Sequence, residues 1–161
     1  MRIIVLGDTH IPKRAKELPS RLIEELKNAE LIIHTGDWSS MEVYENLRQF
    51  AEVKGVTGNV ESDEVIEFFP KSTVIEAGGF RLGVIHGDGT KWTTERRALE
   101  AFSEEQVDVI LFGHSHIPYL RCHKKKLLIN PGSPTDKRQS PFKSFVILDI
   151  QDTIRPSFVF F

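Results

Sequence analysis

Along this chain the apolar residues come in short, dense runs that stop at a glycine and a polar side chain. The first is Ile3-Ile4-Val5-Leu6, followed by Gly7-Asp8-Thr9-His10. The same order recurs in Leu31-Ile32-Ile33-His34-Thr35-Gly36-Asp37, Val56-Thr57-Gly58-Asn59, Leu82-Gly83-Val84-Ile85-His86-Gly87 and Val109-Ile110-Leu111-Phe112-Gly113-His114-Ser115-His116. A half-exposed strand would alternate apolar with polar, so these runs read as strands buried on both faces.

The stretches between them carry helical spacing. Pro19 stands where a first turn would begin, and Leu18, Leu22, Ile23 and Leu26 share a face, which predicts a helix of about ten residues. Ser39-Ser40-Met41-Glu42 spells a capping box with Ser39 as N-cap, and Val43, Leu47, Phe50 and Ala51 continue as a helical face. With a third strand over 52–57, the first part of the chain reads as βαβαβ with parallel pairing. The pattern then turns to hairpins. Segments 72–77 and 80–86 flank Gly78-Gly79, 119–122 and 126–130 flank a lysine-rich turn, and 145–150 and 154–161 flank Gln151-Asp152-Thr153. A helix over 95–105, with Thr94 as cap and Ala98, Leu99, Ala101 and Phe102 inward, precedes the strand at 108–112. The expectation is an α/β protein of two packed sheets with helices outside, in one domain over 1–161.

Composition narrows the function classes. The chain has 161 residues, a net charge of −2 and no basic block longer than Lys124-Lys125-Lys126, which argues against dedicated nucleic-acid binding. One cysteine, Cys122, excludes an internal disulfide framework and fits a reducing compartment. The apolar run after Met1-Arg2 is too short for a signal peptide, and no run approaches the roughly 18 residues of a membrane span. A cytoplasmic protein that does not enter membranes is expected; its oligomeric state is open.

The chemistry lies where the strands end. Two histidines one residue apart at the end of a core strand are unfavourable unless something accepts their lone pairs, and a metal ion is the commonest acceptor. Asp8, His10, Asp37, Asn59, His86, His114 and His116 supply two carboxylates, one amide oxygen and four imidazoles, with no thiolate. That set is too large for one tetrahedral site. It suits two ions sharing a carboxylate, with positions left for water and substrate. Mixed oxygen and nitrogen donors favour Mn2+, with Ni2+, Fe2+ or Zn2+ as alternatives, over Ca2+ or Mg2+. Two ions about 3.5–4 Å apart activate a water and clamp the oxygens of a displacement at phosphorus.

In order, Asp8-Thr9-His10, Gly36-Asp37, Gly58-Asn59, His86-Gly87 and Gly113-His114-Ser115-His116 resemble the D-x-H, GD, GN, H and GH-x-H motifs of the calcineurin-like metallophosphoesterases. With its short length and its Asn130-Pro131-Gly132-Ser133, the chain is similar to the compact phosphodiesterases of bacteria and archaea. The resemblance implies a four-layer αββα sandwich, a dinuclear centre and hydrolysis by a metal-bound hydroxide. It would put Asp8, His10 and His116 on one ion and Asn59, His86 and His114 on the other, with Asp37 bridging. Asp37, Asn59 and His86 are the catalytic candidates. Where many members carry a histidine after the GN asparagine, this chain has Val60, and Glu61 stands where small members place an Asp. Without that general acid, small phosphodiesters or nucleotide-like substrates are expected rather than monoesters.

The retromer subunit of the same fold also resembles this chain, in Gly7-Asp8-Thr9-His10-Ile11-Pro12, Ser144-Phe145-Val146 and Asp149-Ile150-Gln151. That subunit is a scaffold with replacements at metal positions. Here every position holds a competent ligand, so an enzyme is expected, with a non-catalytic interaction module retaining a structural metal site as the alternative. Other residues read more plainly. His34 is structural, Cys122 is packing and Lys124–Lys126 is a solvated tip. Trp38 is either a rim or a core residue, and Asn130–Ser133 either lines the site or forms a simple turn.

Overall fold

Strand β1 (Arg2–Leu6) shows how the chain distributes its apolar side chains, in a computed structural model that describes residues 1–161. Ile3 and Val5 belong to a cluster between two sheets, whereas Ile4 and Leu6 join a second cluster beneath helices. Side chains alternate across a strand, so an uninterrupted apolar run is what a strand covered on both faces requires. All four are fully buried, and truncating such an isoleucine to alanine costs about 2–5 kcal/mol.

The first three strands, β1, β2 (Leu31–His34) and β3 (Glu52–Gly55), are parallel and are separated by α1 (Ser20–Leu26) and α2 (Met41–Leu47), as the βαβαβ reading expects. After α3 (Asp63–Phe68) come the hairpin β4 (Ser72–Ala77) and β5 (Phe80–Ile85), helix α4 (Thr94–Ala101) and β6 (Val109–Leu111). Hairpins β7 (Tyr119–His123) with β8 (Lys126–Asn130), and β9 (Ser144–Ile150) with β10 (Ile154–Phe160), complete the chain. One mixed sheet runs β10-β9-β1-β2-β3 and the other β4-β5-β6-β8-β7. Leu22, Leu26, Val43, Leu47 and Val65 of α1 to α3 cover the first sheet, while Ala98 of α4 and the adjoining Phe102 cover the second. The layers are therefore helix, sheet, sheet and helix, matching the expected sandwich.

Several local expectations need correction. The N-cap of α2 is Ser40, extended at φ −149°, and no side chain closes a capping box. Ser39 sits at φ 75°, outside the extended region an N-cap needs, and its N–H goes to Glu61. Helix α4 starts one residue earlier, with Thr93 as N-cap, and ends at Ala101, which is exposed rather than inward. Helix α3 has no periodic apolar face to betray it, because only Val65 is buried. Cys122 is exposed on edge strand β7 rather than packed. Lys126 is no solvated tip, since its Nζ donates to the carbonyls of Phe102 and Glu105. No helix is long and apolar enough to cross a membrane.

Candidate metal centre

All seven expected ligands follow the carboxyl ends of strands. Asp8 and His10 come after β1, Asp37 after β2, Asn59 after β3, His86 directly after β5, and His114 and His116 after β6. The first four come from one sheet and the last three from the other, so the cluster forms where the two sheets' strand ends meet. The backbone there is unusual. Asp8, His10, Asp37, His114 and His116 have φ of 54°, 49°, 60°, 66° and 59°. The left-handed region costs a residue with a Cβ roughly 1–2 kcal/mol, and strain of this kind concentrates at functional sites. Gly58 approaches so closely that a Cβ there would lie 2.0 Å from Asp37 Oδ1.

Two groups of donor atoms emerge. In the first, Nε2 of His10 and Nε2 of His116 are 3.1 Å apart, Asp8 Oδ1 is 3.4 Å from His116 Nε2, and Asp37 Oδ2 is 3.4 Å from His10 Nε2. Ligand atoms of Asp8, His10, Asp37 and His116 all lie within 4.8 Å of one another. In the second, Asn59 Oδ1 is 3.2 Å from His86 Nε2 and 3.1 Å from His114 Nδ1, and Asp37 Oδ1 is 3.3 Å from His86 Nε2. Ligands held at about 2.0–2.2 Å from one ion stand roughly 3–3.6 Å apart from their neighbours, so these spacings fit coordination.

The surrounding hydrogen bonds aim these lone pairs inward. His116 Nδ1–H donates to the Asp136 carbonyl and His86 Nδ1–H to that of Thr35, which leaves each Nε2 facing the cluster. The Asp8 carboxylate accepts the His114 N–H at 3.1 Å to each oxygen, and its backbone carbonyl accepts the Ser133 hydroxyl at 2.8 Å. Asn59 N–H donates to Asp37 Oδ1 at 2.8 Å.

Electrostatics pull the two carboxylates apart. Burial pushes Asp8 up to about 7, against the charge of His86. Burial also opposes the charge on Asp37, but the hydrogen bond and charge of His86, with the Asn59 N–H, hold it well below the usual carboxylate range. His86 is buried too, yet its hydrogen bond to Asp37 and the Asp8 charge raise it to about 9. Burial lowers His10 and His114 and takes His116 down to about 4, which favours the neutral imidazole that metal coordination would require.

The neighbouring residues divide between core and support. Trp38 is fully buried, stacked between His34 at 3.7 Å and Phe69 at 4.5 Å, with Nε1–H on the Val56 carbonyl; it is core, not rim. His34 accepts the Gly36 N–H at Nδ1 and meets Thr9 Oγ1 at 3.1 Å, a structural role as expected. Asn130 is buried and ties down the loop after β6 through the Gly113 carbonyl. Three supporting residues have no signal in the local sequence pattern: Thr135 and Asp136, which hold Asp8, Thr9 and His116, and Arg138, whose Nη1 reaches the His114 carbonyl at 3.4 Å. Their nearness to Asn130-Pro131-Gly132-Ser133 is the one available signal.

Comparison with known proteins follows the same lines. The calcineurin-like phosphoesterase superfamily domain matches residues 1–153. A probable metallophosphoesterase of Methanocaldococcus jannaschii is 36% identical over 160 residues, 99% of this chain and 81% of the relative. Another, of Methanothermobacter thermautotrophicus, is 38% identical over 138 residues, 86% of this chain and 80% of the relative. Among solved structures, Entamoeba histolytica Vps29 complexed with zinc superposes with a TM-score of 0.81 at 25% identity, covering 99% of each chain. A Thermotoga maritima protein solved by NMR gives 0.77 at 30% identity, also covering 99% of each.

Proposed function

The chain belongs to the calcineurin-like phosphoesterase superfamily, and from that premise we propose that it is a phosphodiesterase working through two divalent ions. The observation that carries the dinuclear reading is the division of the Asp37 carboxylate. Its Oδ2 faces His10 and its Oδ1 faces His86, so one side chain contributes to both donor groups. Asp8, His10 and His116 would hold one ion, and Asn59, His86 and His114 the other. Ions held there would supply Lewis acidity at the phosphoryl oxygens and would activate water near neutral pH.

The chain's own residues do the rest. Asp37 sets the spacing of the two groups. Asn59 is exposed at the mouth, where its amide oxygen, His86 and His114 converge. The half-exposed Arg138 guanidinium stands beside His114 and lowers the proton affinities of Asp8, His10 and His116 through its charge, the electrostatic behaviour of a group able to hold a phosphate oxygen. The residue directly after Asn59 is not a histidine. The half-buried Val60 cannot protonate a leaving group, which favours diesters with acidic leaving groups.

The test is a panel of diesters, monoesters and nucleotides run with Mn2+, Fe2+, Ni2+ and Zn2+ in turn. Metal-dependent diester turnover that disappears in Asp37→Ala is expected. Absence of turnover with every metal would overturn the reading. A second reading, a module that takes up metal without hydrolysis, draws on the likeness to zinc-bound Vps29; stoichiometric metal with no turnover would establish it.

A further inference from the structure

We propose that Glu61 is a positioning residue: its carboxylate clips the loop of Asp37 to the loop of Asn59 and thereby sets the geometry between the two halves of the metal centre. This rests on the dinuclear reading above. Glu61 Oε1 accepts the N–H groups of Asp37 at 2.8 Å, Trp38 at 3.2 Å and Gly58 at 2.7 Å, and Oε2 accepts that of Ser39 at 2.8 Å. Three of these donors are consecutive amides after β2 and the fourth comes from the turn after β3, so one side chain ties two strand ends.

The backbone accounts for the convergence. Gly36, Asp37 and Ser39 have φ of 97°, 60° and 75°. Such a run curls successive N–H groups toward a common point, making a concavity that binds anions. A carboxylate there makes charge-assisted hydrogen bonds and satisfies amides that this conformation takes away from regular pairing. The plainer role would be a helix cap, since Glu61 directly precedes Ser62, the N-cap of α3. All four donors lie outside α3, so the cap reading does not describe what Glu61 does. The clip works in concert with Asp37, whose Oδ1 accepts the Asn59 N–H across the same seam. With Glu61 gone, the left-handed turn at Asp37 loses its anchor, and the bridging carboxylate and Asn59 are free to drift apart.

The test uses the whole chain in metal-free and metal-loaded forms. In the metal-free wild type, amide NMR should show the N–H groups of Asp37, Trp38, Ser39 and Gly58 protected from exchange, a readout that needs neither a variant nor activity. Glu61→Gln, which keeps the shape and removes the charge, should shift those four resonances. It should also weaken binding of the second equivalent of Mn2+ by roughly 10–100-fold, the usual loss when a ligand's hydrogen-bonded support is removed. It should lower kcat more than it raises KM, and Glu61→Ala should do the same more severely. Rapid exchange at the four amides in the wild type, or Glu61→Gln binding two equivalents with wild-type affinities, would overturn the assignment. If the wild type hydrolyses no phosphate ester while Glu61→Gln still loses the second ion, the phosphoesterase reading falls and the role of Glu61 stands.

Discussion

His10 and His116 present their Nε2 atoms to each other at 3.1 Å, with rings 5.1 Å apart and 23° from parallel. The Asp136 carbonyl accepts a hydrogen bond from His116 Nδ1–H, so its Nε2 offers a lone pair, and Asp8 and Asp37 oxygens crowd the same point. A divalent cation resolves this crowding better than a proton can. Chelator-stripped protein should therefore melt lower than protein given Mn2+ or Zn2+. At a free metal concentration of about 100 Kd the stabilisation is about 2.7 kcal/mol, which for a chain of this size corresponds to roughly 5–11 °C. Scanning calorimetry checks it, and an unchanged Tm would mean that this cluster does not bind metal.

Because the donors form two groups that meet only at Asp37, substitutions should separate them. His116→Ala should retain the ion of the Asn59 group, and His114→Ala that of the Asp8 group, each leaving about half the wild-type metal. Asp37→Ala should lose most of both and all turnover, with circular dichroism confirming the fold. Elemental analysis of the purified variants distinguishes these patterns. Equal metal loss in all three would argue for one shared site.

Protons compete for the same atoms. Burial holds Asp8 protonated up to about 7, and the Asp37 and Asp8 carboxylates, overcoming burial, hold His86 protonated to about 9. Metal must displace these protons, so apparent affinity should climb between pH 6 and 9 and then level off. The metal-free fold runs the other way. Both pKa values lie above the unfolded values of 3.8 and 6.5, so the folded state binds the extra protons. Their stabilising contribution is full below the unfolded values and is lost as pH rises through 7 and 9. Metal titrations at pH 6, 7, 8 and 9, in buffers of different ionisation enthalpy, read both affinity and proton release. An affinity flat across that range would contradict the assignment.

Arg138 should act on substrate rather than on the ions. Its side chain is half exposed, held by the His114 carbonyl at 3.4 Å and lying 3.8 Å from Asp136 Oδ2. Losing one charged hydrogen bond to a phosphate oxygen weakens binding by roughly 10-fold or more. Arg138→Ala should raise KM by that factor with metal content unchanged. A loss of bound metal instead would make Arg138 a support of the cluster.

Much of this site is legible along the chain because each candidate ligand lies within a few residues of a strand's end, and most of those strands are announced by an apolar run. Asp8, Asp37, His86 and His114 could be placed without knowing which strands are neighbours. What could not be read depends on tertiary meetings. The last hairpin returns to pair β9 beside β1, Ile3 opposite Leu148, and no local pattern encodes that choice of partner. Trp38 follows a candidate ligand in sequence yet turns into the core, because His34 and Phe69 form a slot for its ring. The Thr135 hydroxyl reaches the Thr9 carbonyl across 126 residues of chain and the Asp136 carbonyl meets His116 across 20, contacts to which periodicity is blind. Ser39 spelled a cap, but its left-handed backbone and the pull of Glu61 gave that place to Ser40.

Under the diesterase proposal, Val60 should limit the range of esters cleaved. It follows Asn59 directly and is half buried, at the position where many members of the superfamily carry a histidine. A missing general acid typically lowers the rate by about 10²–10⁴, most when the leaving group is a poor one. Wild-type protein should therefore turn over a bis-aryl diester faster than an alkyl monoester, since an aryl oxide departs without a proton. Val60→His should narrow the gap, raising kcat on alkyl leaving groups by roughly 10²-fold with less effect on aryl ones. The gain should show a bell-shaped pH profile that the wild type lacks, because the new imidazole must be protonated to act. Faster wild-type hydrolysis of the alkyl monoester would mean that some other group already delivers the proton, and the diester assignment would fail.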